Sequence, residues 1–142
     1  MTVVTFKNRS FLISYKKIGV VNGFPNDKSD SSPHYHFKFF VKDVDDAVEF
    51  DFYGSSADYN NGKDSLNEEE VLWAFRCFID DAIMGLSSFE DFCDELGYDV
   101  DSLSAYRTHQ LCIESLKKTE SLGIDEDGLY EIISELSEMG VE

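Results

Sequence analysis

The residues of this 142-residue chain that could do chemistry are three histidines, three cysteines and 29 carboxylates, and their spacing decides what that chemistry is. His34 and His36 stand two apart in HYHFKFFVK, so a strand points them the same way, while His109 lies far off in a helical pattern. Two ligands make no metal centre, because zinc needs at least three protein side chains. The calcium loop wants oxygen ligands at its first, third and fifth positions, Gly at the sixth and Glu at the twelfth. From Asp58 the fifth and sixth positions are Gly62 and Lys63; from Gly123 the first position has no side chain and the last is Ser134. Cys77, Cys93 and Cys112 form no CxxC pair and fall inside helical patterns, so they read as buried free thiols of a reducing compartment. There is no GxSxG elbow and no phosphate-binding loop. The expectation is a chain with no catalytic residue, no metal and no cofactor.

The carboxylates are a different matter. With so many, adjacent pairs arise by chance and do not identify a hydrolase. Glu68, Glu69, Glu70, Glu90, Asp91, Asp99, Asp101, Asp125, Glu126 and Asp127 fall where helices should begin, and acids there cap N–H groups and meet the positive end of the helix dipole. Six others fall toward helix C-termini: Asp80 and Asp81, Asp94 and Glu95, Glu135 and Glu138. A carboxylate there opposes the dipole at a cost of roughly 0.3–1 kcal/mol. Glu131, Glu135 and Glu138 also share one helix face with no base among them. These seven are the candidate partner-binding residues. Carboxylates about 5–6 Å apart on a helix approximate the charge density of a nucleic-acid backbone, and such a row can occupy the Lys/Arg groove of a nucleic-acid-binding protein.

The elements that must position them can be placed in order. Residues 3–21 read as strand, with Phe11, Ile13 and Tyr15 on one face and a possible short strand, TVVTF, ahead of them. NGFPNDKSDSSP is a turn-rich loop and the best candidate for a mobile segment. Residues 34–42 alternate Tyr35, Phe37, Phe39 and Val41 against His36, Lys38, Phe40 and Lys42. The turn DVDD leads into AVEFDFY, a hairpin that should set Lys38 and Lys42 near Glu49 and Asp51. After a loop over 54–66, Ser65 with Glu68, or Asn67 with Glu70, can box the start of a helix to about Met84. Its apolar stripe is Val71, Leu72, Ala74, Phe75, Phe78, Ala82 and Ile83, and Gly85 stops it. A second helix, boxed by Ser87 and Glu90 and closed by Gly97, should bury Phe89, Phe92, Cys93 and Leu96. A third, from about Asp101 to before Gly123, should turn Leu103, Tyr106, Ile113 and Leu116 inward. A fourth, about Glu126 to Met139, should bury Leu129, Ile132, Ile133, Leu136 and Met139.

Strands first and helices after predict an α+β fold: an N-terminal antiparallel sheet of about three strands packed on a C-terminal bundle of about four helices. The length suits one domain over 1–142, with 1–54 as the sheet part and 65–142 as the helical part. The charge is lopsided. Seven bases and two acids leave residues 1–42 at +5, while 27 acids and five bases leave residues 43–142 at −22, for a net of −17. Such a field repels nucleic acid and anionic membranes and attracts basic surfaces. With no signal peptide, membrane run or lipidation motif in sight, a cytoplasmic protein is expected, monomeric or homodimeric, whose partner is a basic protein rather than nucleic acid or membrane.

At YGSSADYNNG and SFEDFCDELGYDVDSLSAY the chain resembles small acidic accessory proteins of phages and other mobile elements. There a YGS-x-x-DY segment ends the hairpin, an acidic helix follows, then FxDFCxExGYDxDS and a helix bearing a Tyr and a Cys, here Tyr106 and Cys112. The terminal DGLYEIISELSEMG is similar too, so the resemblance covers about residues 11–142. Anti-defence proteins, anti-CRISPR proteins included, occur among these accessory proteins. The resemblance thus implies a phage-encoded inhibitor acting in the host cell on a CRISPR effector or other defence nuclease. The alternatives are a protein that sequesters a small anionic signalling nucleotide against Lys16, Lys17, Lys38, Arg107, His34 and His36, and a small phage hydrolase.

Overall fold

Antiparallel pairing organises the first half of the chain. The computed structural model describes residues 2–22, 33–55 and 65–141. Its order is β1 (Thr2–Thr5), β2 (Ser10–Asn22), β3 (Pro33–Lys42), β4 (Ala47–Ser55), α1 (Glu68–Met84), α2 (Phe89–Leu96), α3 (Leu103–Ser121) and α4 (Glu126–Glu138). This is the expected α+β class, with one four-stranded meander, β1-β2-β3-β4, in place of about three strands. The fourth is TVVT, too short to show an alternation, which pairs along β2 from Thr2 opposite Ile13 to Thr5 opposite Ser10. The expected loop over 23–32 and most of the next one, 56–64, lie outside the described residues. The chain divides into two compact units, Met1–Ala74 and Phe75–Glu142, with the division inside α1.

In the first unit the alternation in β3 comes out as read. Tyr35, Phe37, Phe39 and Val41 are buried, and β2 and β4 add Phe11, Ile13, Phe50 and Phe52. Phe39 is the hub, its ring stacked on Phe50 at 5.2 Å and edge-on to Phe52 at 5.9 Å. Tyr15, half-buried on the same face, ties the sheet to the start of α1: its hydroxyl donates to Leu66 O (3.1 Å) and accepts from Leu66 N–H (2.6 Å). The DVDD turn closes on Asp43, whose Oδ1 accepts the N–H groups of Asp45 and Asp46 at 3.0 and 2.8 Å. On the other face Lys38 Nζ lies 3.6 Å from Glu49, as expected. Lys42 does not join in. It sits opposite Ala47, at the end of the ladder, and forms no ion pair among the described residues. Asp51 instead accepts from His36 Nε2 at 2.8 Å, and the His36 ring stacks on Tyr53 at 4.5 Å.

The second unit corrects the sequence reading in several places. At the start of α1, still in the first unit, Asn67 and Glu70 form the second of the two boxes the sequence offered, each backbone N–H donating to the other's side chain at 3.0 and 2.8 Å. The α2 cap is shifted by one residue: Ser88, not Ser87, accepts from Asp91 N–H. The α1 stripe also includes Ile79, fully buried. The largest change is in α3. Its buried residues are Ala105, His109, Cys112 and Thr119, spaced four, three and seven. Leu103 and Tyr106 face outward, as do Leu96 of α2 and Met139 after α4. The seam of α3 is small and polar, so hydrophobicity does not mark it, and its polar groups are only partly satisfied, because His109 Nδ1 is buried without a hydrogen-bond partner among the described residues. His109 Nε2–H donates to Ser87 O at 2.8 Å, and Thr119 Oγ donates to Leu116 O at 2.8 Å. Gly85 follows the last residue of α1, as expected. It lies where the α1 end meets α3, against the Cys112 carbonyl.

Candidate functional site

The predicted partner-binding carboxylates divide into two kinds. Asp80 has a structural account. Arg76, one turn back on α1, places Nε 3.5 Å from its Oδ2 and donates through Nη1 to Ser137 Oγ (2.9 Å) and to the Val141 carbonyl (2.7 Å). Arg76 therefore anchors α1 to α4 and the segment after it, and Asp80 neutralises it. Burial still pushes the Asp80 carboxyl up, against the pull of Arg76.

Asp81 is partly covered, and burial, then the Asp80 charge, push its carboxyl up to about 6. Its field reaches two thiols. Cys77 and Cys112 are both pushed up to about 12, by burial first and by Asp81 next. Thiols so placed carry almost no thiolate and make poor nucleophiles. Iodoacetamide at about pH 8 is expected to leave Cys77 and Cys112 unmodified in the folded chain and to label them in urea, as read by intact mass.

The raised Asp81 has a consequence for stability. An unfolded aspartate titrates at about 3.9, so between that pH and about 6 the folded chain holds a proton that the unfolded chain has lost. Stability therefore falls as pH rises through this window and is fully regained only below it. Asp81→Asn removes the buried charge. It is expected to add about 1–2 kcal/mol at neutral pH, allowing for partial solvent screening, and little at about pH 4. Urea unfolding of both chains at the two pH values measures the difference.

Asp94 and Glu95 are of the second kind: both are exposed at the end of α2. So are Glu131 and Glu138 on α4, whereas Glu135 between them is half-buried. Glu90, Asp91, Asp99 and Asp101 are among the acids expected to serve helix starts. Glu90 and Asp91 do stand in the first turn of α2, but Asp99 and Asp101 precede the Ser102 cap of α3 and lie outside the helix. Asp99 Oδ1 accepts from Asp101 N–H at 3.0 Å, which shapes the α2–α3 connection. Glu90, Asp91, Asp94, Glu95, Asp99 and Asp101 are all exposed, and none forms an ion pair among the described residues. Two of them are felt inside: burial, then Asp94 and Asp99, push the Cys93 thiol up.

No family model, curated protein or solved structure matches the chain. The site must be read from its own geometry.

That geometry holds little for the other chemistries. Among the described residues no three His, Cys, Asp or Glu side chains come together as a metal site, and no helix is long and apolar enough to cross a membrane. The basic residues grouped for an anionic ligand are split between the two faces of the sheet. Lys16 stands opposite Lys38 on one face, while Lys17 is paired with Phe37 on the other, its ammonium 4.8 Å over the Tyr35 ring. His34 is buried. The arrangement best suited to a function is the run of exposed carboxylates from Glu90 to Asp101. Sequence alone could have found it by asking which acids lie between caps rather than behind them.

Proposed function

We propose that this chain is a binding protein without catalytic chemistry, an anti-defence inhibitor of the anti-CRISPR kind that acts in the host cytoplasm. Its helical unit engages the basic groove of a nucleic-acid-handling effector in place of nucleic acid. One observation carries the reading. Residues 75–142 hold 17 acids and four bases, a net of −13, and six of those acids are exposed and unpaired within residues 90–101. One of the four bases, Arg76, is spent inside the unit. Exposed like charges repel one another and lower stability, so a surface this dense is accounted for by a partner of opposite sign. Such a partner is met fast, because the field steers the encounter, and the nucleic acid it normally holds is kept out. Glu131 and Glu138 add to the same field from α4.

The experiment is phage plaquing on hosts that each carry one type of CRISPR nuclease. Expression of the chain is expected to restore plaques on at least one of these hosts. A chain that restores them on none speaks against the proposal.

A further inference from the structure

Beside these carboxylates the helical unit leaves an apolar strip in water. Leu96, Tyr98, Val100, Leu103 and Tyr106 are each between 47% and 59% exposed. They occupy the α2–α3 corner, and two of them fix its position on the unit. The Tyr98 ring leans on Phe92 at 5.8 Å, and the Tyr106 ring meets Phe89 edge-on at 5.7 Å. Phe89 and Phe92 are one turn apart on α2, and Phe92 belongs to a small core with Cys93, Ala105 and Cys112 on which Phe89 packs. The two tyrosines therefore stand over one core, with Val100 and Leu103 between them in the chain. Single exposed apolar residues are ordinary, but five within eleven residues, two of them resting on one core, are the grouping expected of a protein interface.

The rim decides the occupant. Asp94, Glu95, Asp99 and Asp101 surround this strip in sequence and are exposed, and Arg107 is the only base between Arg76 and Lys117. A second copy of the chain bound through the same corner would bring carboxylates against carboxylates. Nucleic acid meets the same repulsion. What fits is a segment whose large apolar side chains are flanked by lysines and arginines. Half-exposed tyrosines held by packing suit it as anchors, since they lose little freedom on binding.

Resting on the acidic-surface reading above, we propose that the α2–α3 corner docks a basic amphipathic protein segment, with Tyr98, Leu103 and Tyr106 as apolar anchors inside a carboxylate rim. The full chain, isotope-labelled for NMR, is titrated with two synthetic peptides of equal charge, one of alternating Lys and Leu clusters and one of Lys and Ser. The Lys/Leu peptide is expected to bind about tenfold more tightly and to move the amides of residues 96–106. Leu103→Ser is expected to remove that advantage and leave Lys/Ser binding unchanged; its side chain is exposed, so folding is preserved and circular dichroism checks it. Equal affinity for both peptides, or shifts centred on α4, overturns the docking corner while leaving the acidic-surface reading in place. Binding of neither peptide overturns both. Self-association abolished by Leu103→Ser, seen in sedimentation, overturns it in favour of a second copy as the occupant.

Discussion

Gly85→Ala is expected to cost the chain about 3 kcal/mol of stability, the upper end of what overpacking costs. A Cβ at this position would stand 2.5 Å from the Cys112 carbonyl oxygen, 2.8 Å from its carbon and 3.1 Å from Ile113 N. All three are backbone atoms of α3, so no side chain can swing away, and the end of α1 must separate from α3. The backbone angles at Gly85 are not the cause, because among the described glycines φ is positive only at Gly97, Gly123 and Gly140. Gly97→Ala is the matched control: φ is +72° and nothing lies within 4 Å of the added carbon. It should cost about 1 kcal/mol for the left-handed conformation alone. Urea unfolding of the two variants separates close approach from backbone strain. If Gly85→Ala unfolds no earlier than Gly97→Ala, the packing of α1 on α3 is not as described.

The second large effect concerns binding. Changing Asp94, Asp99 and Asp101 to Asn and Glu95 to Gln together is expected to weaken the complex with the inhibited effector about a hundredfold at low salt. The substitutions are close to isosteric, and Asn at position 99 can still accept the N–H of residue 101, so the α2–α3 connection keeps its shape. Removing four like charges relieves repulsion, so the variant should be no less stable than the parent. Lost inhibition with preserved or raised stability would separate a binding surface from a structural one.

Different physical signals account for how much of this was visible in the sequence. The hairpin was, because burial on one face of β3 and β4 imposes a two-residue period, and the same period puts Lys38 on one face with Asp51 opposite it and Glu49 diagonal to it. The α1 box was, because Asn and Glu three apart have few other uses before an apolar run. The α3 seam was not. Ala105, His109, Cys112 and Thr119 are the buried residues, while the larger Leu103 and Tyr106 are outside, so a search for bulky apolar spacing picks the wrong face. The site was half visible for the same reason. Asp94 and Glu95 stand out as carboxylates at a helix end, and they are exposed. Asp80 also stands out, yet Arg76 one turn before it explains it, an i,i+4 pair that the sequence spacing already offered; only the further bonds of Arg76 to Ser137 and Val141 need the fold. The apolar strip could not be seen at all while Leu96, Leu103 and Tyr106 were assigned to the core.

Competition of the helical unit with nucleic acid by charge is tested most directly by the dissociation constant of the complex against salt. For the effector singled out by plaquing, affinity should fall at least about tenfold between about 50 and about 200 mM salt, and the curve for the four-residue neutral variant should be flatter. An affinity that does not change with salt, or a neutral variant that binds as the parent does, would contradict the account.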